Sequence, residues 1–228
     1  MNLFQLSQDV EQYVIDMRRE FHANPEISFQ EKRTTARIRE ELDKIGIPHE
    51  TVGSGNVVAL FDTGRPGKSL AIRADIDALP MDEADKTTPY CSKVEGVMHS
   101  CGHDGHAAML LGTAKVLTQI KDQLKGKIYL CFQVAEEVGG GAGEIVEYLK
   151  QKGGVDGVIG THLDGGSDAG VIHLPDGPLM AGAQLFEIEV KGVGGHGSRP
   201  DKAVDPVKPA CDILLKIASI PAQYHNPF

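Results

Sequence analysis

The four cysteines of this 228-residue chain, Cys91, Cys101, Cys131 and Cys211, show no C-x-x-C spacing and no secreted context, which points to a reducing, cytoplasmic compartment. No stretch is apolar for the length that a membrane helix needs. Residues 1–10 are polar with scattered apolar positions, unlike a signal peptide, so no membrane partner is expected. There is no Lys/Arg cluster and no basic run interleaved with aromatics. With a formal net charge of −9, this argues against a nucleic-acid partner. Long low-complexity tracts are also lacking. What is present, 41% apolar and 24% charged residues, describes a soluble globular protein able to bury a sizeable core as one large domain or two small ones.

Periodicity divides the chain into alternating elements. Val10, Tyr13, Val14, Met17 and Phe21 fall on one helical face that stops before Pro25, and Ile38, Leu42 and Ile45 mark a second helix closed by Gly46 and Pro48. Residues 56–61 and 69–74 read as strands joined by the turn-rich residues 62–67, and are expected to be neighbours in the sheet. An irregular loop over 75–100 precedes a helix from about Asp104. The apolar run at 127–134 suits a strand covered on both faces, and a further helix and a short strand at 155–160 follow. Strand–helix alternation predicts an α/β fold with a mostly parallel sheet, whose ligands collect beyond the carboxyl ends of the strands. After Ala181 the texture changes. Residues 184–190 alternate as a half-exposed strand should, and 203–218 form an amphipathic helix. The expected division is a catalytic domain over 1–181 and the start of a second, α+β domain over 182–228.

The chemistry concentrates in His99-Ser100-Cys101-Gly102-His103-Asp104-Gly105-His106, where a thiol, three imidazoles and a carboxylate open a helix. Four of these five groups can bind a transition metal directly, Asp104 could orient an imidazole, and the two glycines let the backbone bend around one centre. Glu136-Glu137 and His162 follow later strands, which places three donor sets after successive elements. Each has a plainer reading: a solvated acidic turn for Glu136-Glu137, and a buried apolar thiol for Cys101. Cys131 and Cys211 lie in strand and helix patterns and are expected in the core. The glycine run 139–143 lacks the Lys-Ser/Thr of a phosphate loop and the glycine spacing of a dinucleotide site, so it reads as a tight helix entry.

Taken in order, Arg18-Arg19-Glu20-Phe21-His22 with Asn24-Pro25-Glu26, the run from Arg73 to Pro80, Cys101 with His103, Gln133-Val134-Ala135-Glu136-Glu137, Gly160-Thr161-His162 and Gly192-Val193-Gly194-Gly195-His196 form a signature. It resembles that of the metal-dependent amidohydrolase and aminoacylase peptidases, the group of hippurate hydrolase, N-acyl-amino-acid amidohydrolases and plant indoleacetyl-amino-acid hydrolases. The resemblance implies a zinc-peptidase-like catalytic domain holding two divalent metal ions about 4 Å apart. It also implies hydrolysis of the amide bond of a small N-acyl amino acid or peptide. Carried over by position, Cys101, His103, Glu137 and His162 are metal ligands and Glu136 is the general base. Asp77 is the carboxylate that orients a ligating imidazole, while Asp75 has no firm role beyond capping a loop. His99 and His106 are left as structural or supporting residues. The second domain is implied to be a lid and dimerisation module of a homodimer, from which His196 reaches toward the active site of the other subunit to polarise the substrate carbonyl. Without the resemblance His196 is a turn histidine among glycines. Thiolate, imidazole and carboxylate together accommodate zinc, manganese, cobalt or nickel.

The sequence departs from the family pattern in two places. Val134 stands where a proline is usual before Ala-Glu-Glu. The chain also ends within the lid, so the family's last metal-ligating histidine has no counterpart here, and His225 is at the wrong location. The expectation is a truncated chain, with a catalytically weak or inactive metal-binding or interaction module of the same family as the alternative function.

Overall fold

The computed structural model describes residues 2–174, 176–177 and 186–224. They form two compact units, 1–168 and 169–228, each taken by itself below. The division expected at 181/182 falls outside the described residues.

The first unit is built on a five-stranded sheet: β1 (His49–Val52), β2 (Asn56–Asp62), β3 (Ser69–Asp75), β4 (Lys127–Gln133) and β5 (Gly157–Gly160), in the order β1-β2-β4-β3-β5. Only β2 runs against the others, pairing antiparallel with β1 and β4, while β3 pairs parallel with both β4 and β5. The mostly parallel α/β sheet expected from the sequence is therefore what forms. The expected adjacency of β2 and β3 is not, because β4 lies between them. The turn-rich segment after β2 is long enough to step over one strand, and it does so by wrapping the foot of β4. Gly126 N–H donates to the Arg65 carbonyl (2.9 Å) and Thr63 N–H to the Gly126 carbonyl (3.2 Å). Gly126 is left-handed (φ 82°), and a β-carbon there would lie 1.9 Å from the Lys68 carbonyl oxygen. Only glycine fits that crossing.

Helices α1 (Leu3–Asp9), α2 (Glu11–Ala23), α3 (Lys32–Ile45), α4 (His103–Gln119) and α5 (Ala142–Gln151) complete the unit. α3 ends where expected, on left-handed Gly46. Leu130 and Phe132 of β4 pack with Phe21, Ile38, Leu42 and Leu111 on one face, while Tyr129 and Cys131 pack with Ile145 and Leu149 of α5 on the other. That accounts for the unbroken apolar run in β4: both faces are covered. Burial of each large side chain there stabilises by about 2–3 kcal/mol. The parallel strands finish nearly level, with Asp75 opposite Gln133 and Arg73 opposite Gly160.

In the second unit a short 3₁₀ turn (Pro200–Lys202) precedes α6 (Val207–Tyr224). The helix starts four residues later than expected because Val204 is bridged to Val193 and Asp205 caps the helix, accepting from Val207 N–H at 2.9 Å. Of the strand expected over 184–190, residues 186–190 are not in a strand, and 184–185 lie outside the described residues. Cys131 is buried in the core, but Cys211 is exposed, as are Leu214 and Leu215 beside it on α6.

Candidate metal centre

The loops that leave β3, β4 and β5 meet the amino-terminal turn of α4 at one edge of the sheet. Gly102 caps α4 in a left-handed conformation (φ 91°), which turns the chain between Cys101 and His103. Ala135 is also left-handed (φ 58°), uncommon for a residue with a β-carbon. It is fully buried, and its N–H is held by Glu31 Oε1 at 2.7 Å. This bend turns the chain out of β4 and presents Glu136 and Glu137 side by side in one 3₁₀ turn (Glu136–Val138).

His103 is the centre of the arrangement. Its ring is fully buried, and Nδ1 lies 3.2 Å from Asp77 Oδ1. Nε2 lies 3.8 Å from Glu136 Oε2, 3.8 Å from Glu137 Oε1 and 3.6 Å from Asp75 Oδ2, without a hydrogen bond to any protein atom. Asp77 accepts two further bonds, from Ser28 Oγ (2.7 Å) and from Glu137 N–H (3.0 Å). One carboxylate thus fixes both an imidazole and the backbone beneath a glutamate. Cys101 Sγ faces His162 Nε2 at 3.3 Å. Donor atoms of Cys101, His103 and His162 lie within 4.8 Å of one another, as do those of His103, Glu136 and Glu137.

The charges are balanced tightly. Burial pushes the Cys101 thiol up to about 11, and the neighbouring Glu137 carboxylate adds to that. Glu137 is itself raised, chiefly by burial, against the pull of His103. Burial would raise Asp77, but its bonds from His103, Ser28 and the Glu137 backbone outweigh it and hold the carboxyl near about 2. A cluster holding a thiol, two adjacent glutamates and an unpartnered buried imidazole nitrogen fits a divalent cation, which would satisfy the orphaned His103 Nε2 and Glu137 Oε1 and stabilise the thiolate.

Cys101, His103, Glu136, Glu137, His162 and Asp77 are brought together. His196 lies in the second unit, exposed, with Nδ1 2.9 Å from Ser198 Oγ. Asp75 has more to do than cap a loop. Buried at the end of β3, it pairs with Arg73 Nη1 (2.7 Å) and His106 Nδ1 (2.5 Å). Ser28 carried no signal in the sequence. Asp104 does orient an imidazole, but that of His22 (2.8 Å), whose other nitrogen reaches Glu83 at 3.1 Å and so ties the 75–100 loop to α2. His99 packs against the His22 ring, and its burial pushes it down to about 4.

A sequence model of Peptidase family M20/M25/M40 matches residues 71–218. An N-acyl-L-amino acid amidohydrolase of Geobacillus stearothermophilus is 41% identical over 223 residues, covering 97% of this chain and 60% of that protein. Thermostable carboxypeptidase 2 of Saccharolobus solfataricus is 43% identical, covering 96% of this chain and 56% of that one. Among solved structures, a protein of methicillin-resistant Staphylococcus aureus superposes with a TM-score of 0.78 at 33% identity, over 99% of this chain and 60% of its own. A dinuclear metal-binding M20 peptidase of Bacillus subtilis gives 0.64 at 41% identity, over 69% and 44%. The chain thus spans about 60% or less of the length of these relatives. With the family model matching well over half of its residues and an ordered set of potential metal donors at the sheet edge, the chain belongs to the M20/M25/M40 peptidase family.

Proposed function

We propose that this chain carries a metal centre for hydrolysis of the amide bond of N-acyl amino acids or small peptides. Cys101, His103, Glu137 and His162 would hold divalent metal ions, and Glu136 would serve as general base. The observation that carries the reading is His103 Nε2. It is buried, it is aimed at the two glutamates by the bond that Nδ1 donates to Asp77, and it has no hydrogen-bond partner in the protein. When bound, the metal ions supply Lewis acidity for the scissile carbonyl and acidify nearby water.

The protein's own groups divide the remaining work. The Glu137 carboxylate is set by its backbone bond to Asp77, whereas Glu136, with a side chain 39% exposed, is open to substrate. A carboxylate so placed takes a proton from water and returns it to the leaving nitrogen, a task worth about 10²–10⁴ in rate. By position in the family pattern, His196 would polarise the substrate carbonyl in the active site of the other subunit of a homodimer whose second domain is lid and dimerisation module. Four free thiols support a cytoplasmic setting, and the mixed donor set accommodates zinc, manganese, cobalt or nickel. No described helix is long and apolar enough to cross a membrane.

The test is metal binding by the chain, followed by hydrolysis of N-acetyl and N-benzoyl amino acids. Stoichiometric binding of a divalent ion that His103→Ala abolishes is expected, with release of the free amino acid by the whole enzyme and at best very weak turnover by this chain alone. Absence of any divalent-ion binding at neutral pH overturns the reading, and binding without turnover by the whole enzyme favours the metal-binding module instead.

A further inference from the structure

His106 stands beside the centre, with a ring nitrogen within 4.8 Å of donor atoms of Asp75 and His103. Its ring is 4.6 Å from that of His162, edge to face, and it is almost wholly buried. Both of its nitrogens are occupied. Leu163 N–H donates to Nε2 at 2.8 Å, and a backbone N–H can only donate. The ring proton therefore sits on Nδ1, which donates to Asp75 Oδ1 at 2.5 Å, and the other Asp75 oxygen is held by Arg73 Nη1 at 2.7 Å. The carbonyl of Leu163 accepts from His162 Nδ1 at 2.6 Å, so His162 also carries its proton on Nδ1. Its Nε2 lone pair is left facing Cys101 Sγ at 3.3 Å. These contacts form one string: Arg73, Asp75, His106, the backbone N–H and C=O of Leu163, His162. Space for it is cleared at α4, since a β-carbon on Gly105 would lie 2.5 Å from Leu163 Cδ1 and one on Gly102 3.3 Å from the same atom.

We infer that His106 is a positioning residue. Acting through the backbone of Leu163 and anchored by Asp75, it sets the tautomer and orientation of His162 for metal binding and does not itself bind the metal. The inference rests on the metal-centre reading of His162, and it makes the acceptor at His106 Nε2 the decisive atom. A ligating imidazole whose other nitrogen is fixed in this way binds metal about 10–100-fold better than one left free.

Two near-isosteres separate the two ends of the His106 ring. His106→Gln places an amide oxygen near the Nε2 position and keeps the bond from Leu163. His106→Asn keeps an amide near Nδ1 for Asp75 but does not reach Leu163. Cobalt(II) titration of the chain, followed through the thiolate-to-cobalt absorption, should show His106→Gln within about threefold of wild type and His106→Asn at least 10-fold weaker. Equal loss in both variants would make His106 a ligand or a packing residue, and no loss in either would remove it from the site; each result overturns the inference. A wild-type chain with no thiolate–cobalt band refutes the metal-centre reading separately. Should either variant fail to fold, long-range ¹H–¹⁵N correlation of histidine rings in the metal-free wild type decides the matter. Protonation on Nδ1 of both His106 and His162 is expected, and an Nε2–H tautomer at either overturns the inference.

Discussion

Replacing Asp77 with alanine should damage metal binding more than any other change outside the ligands. The side chain is fully buried and accepts three bonds, from His103 Nδ1, Ser28 Oγ and Glu137 N–H. Alanine strands all three donors. The His103 donor is deeply buried and would cost about 1–3 kcal/mol unpaired; the other two are half-buried and would cost about 1 kcal/mol each after relaxation. The sum, about 3–5 kcal/mol, is a large share of a typical domain stability. Removing one orienting partner ordinarily weakens metal binding about 10–100-fold, and Asp77 orients two candidate ligands, His103 and Glu137, so the upper end is expected. Competition with a chromophoric chelator, corrected for the folded fraction from urea unfolding, measures both effects. Asp62→Ala, which removes an exposed pair with Lys127 at 3.6 Å and a turn bond from Gly64 N–H at 2.8 Å, is the control and should change stability by about 1 kcal/mol with no effect on metal binding. A folded Asp77→Ala chain that binds metal within twofold of wild type would refute the reasoning.

Glu136→Gln should retain metal while lowering turnover of the whole enzyme by about 10²-fold or more, whereas Glu137→Gln should weaken metal binding first; the reverse pattern, read by dialysis and kinetics, would exchange their roles. Burial alone would raise the Glu41 carboxyl, but Lys44, Tyr13 and Arg37 hold it down to about 2. Its contribution is therefore complete above about pH 5 and is lost as pH falls toward 2. Taken as dry, the shift is worth about 3 kcal/mol, roughly halved by the solvent around Lys44. Urea unfolding of Glu41→Gln should accordingly lie about 1–2 kcal/mol below wild type at pH 7, with the gap closing by about pH 2; a gap constant from pH 7 to 3 would contradict this. Gly126→Ala meets both a left-handed backbone and the Lys68 carbonyl, and a thermal melt should show a loss of at least about 2 kcal/mol.

What the sequence disclosed was what local patterning controls. Phe21, Ile38 and Leu42 declare helical faces by their spacing, Gly46 declares a stop, and the 127–134 run declares a strand covered on both sides. The donor cluster was legible because its residue types are rare together. Strand order was not, because adjacency of β2 and β4 is settled by pairing across more than sixty residues and by a crossing at Gly126 that leaves no periodic trace. Ser28 and the Leu163 N–H were invisible for a similar reason: a hydroxyl or a backbone amide acquires its role only from what folds against it. Asp75 was underrated, since a carboxylate at a strand end looks the same whether it caps a loop or is buried between Arg73 and His106. Val134 departs from the family pattern, and its N–H donates to Asn56 Oδ1 at 3.1 Å, a bond that proline could not make.

The level finish of β3, β4 and β5 makes the metal centre a gauge of how the sheet was assembled. A slip of one residue between any two of these strands moves a donor by about 3.3 Å and turns it to the opposite face. Cation binding needs donors placed to a small fraction of that distance. A misaligned sheet could keep most of its apolar contacts and still be unable to take up the ion. An ion at a hundred times its dissociation constant adds about 2.7 kcal/mol to the aligned state alone. During folding the cation would therefore act as a proofreader, rewarding one alignment among several of similar hydrophobic content.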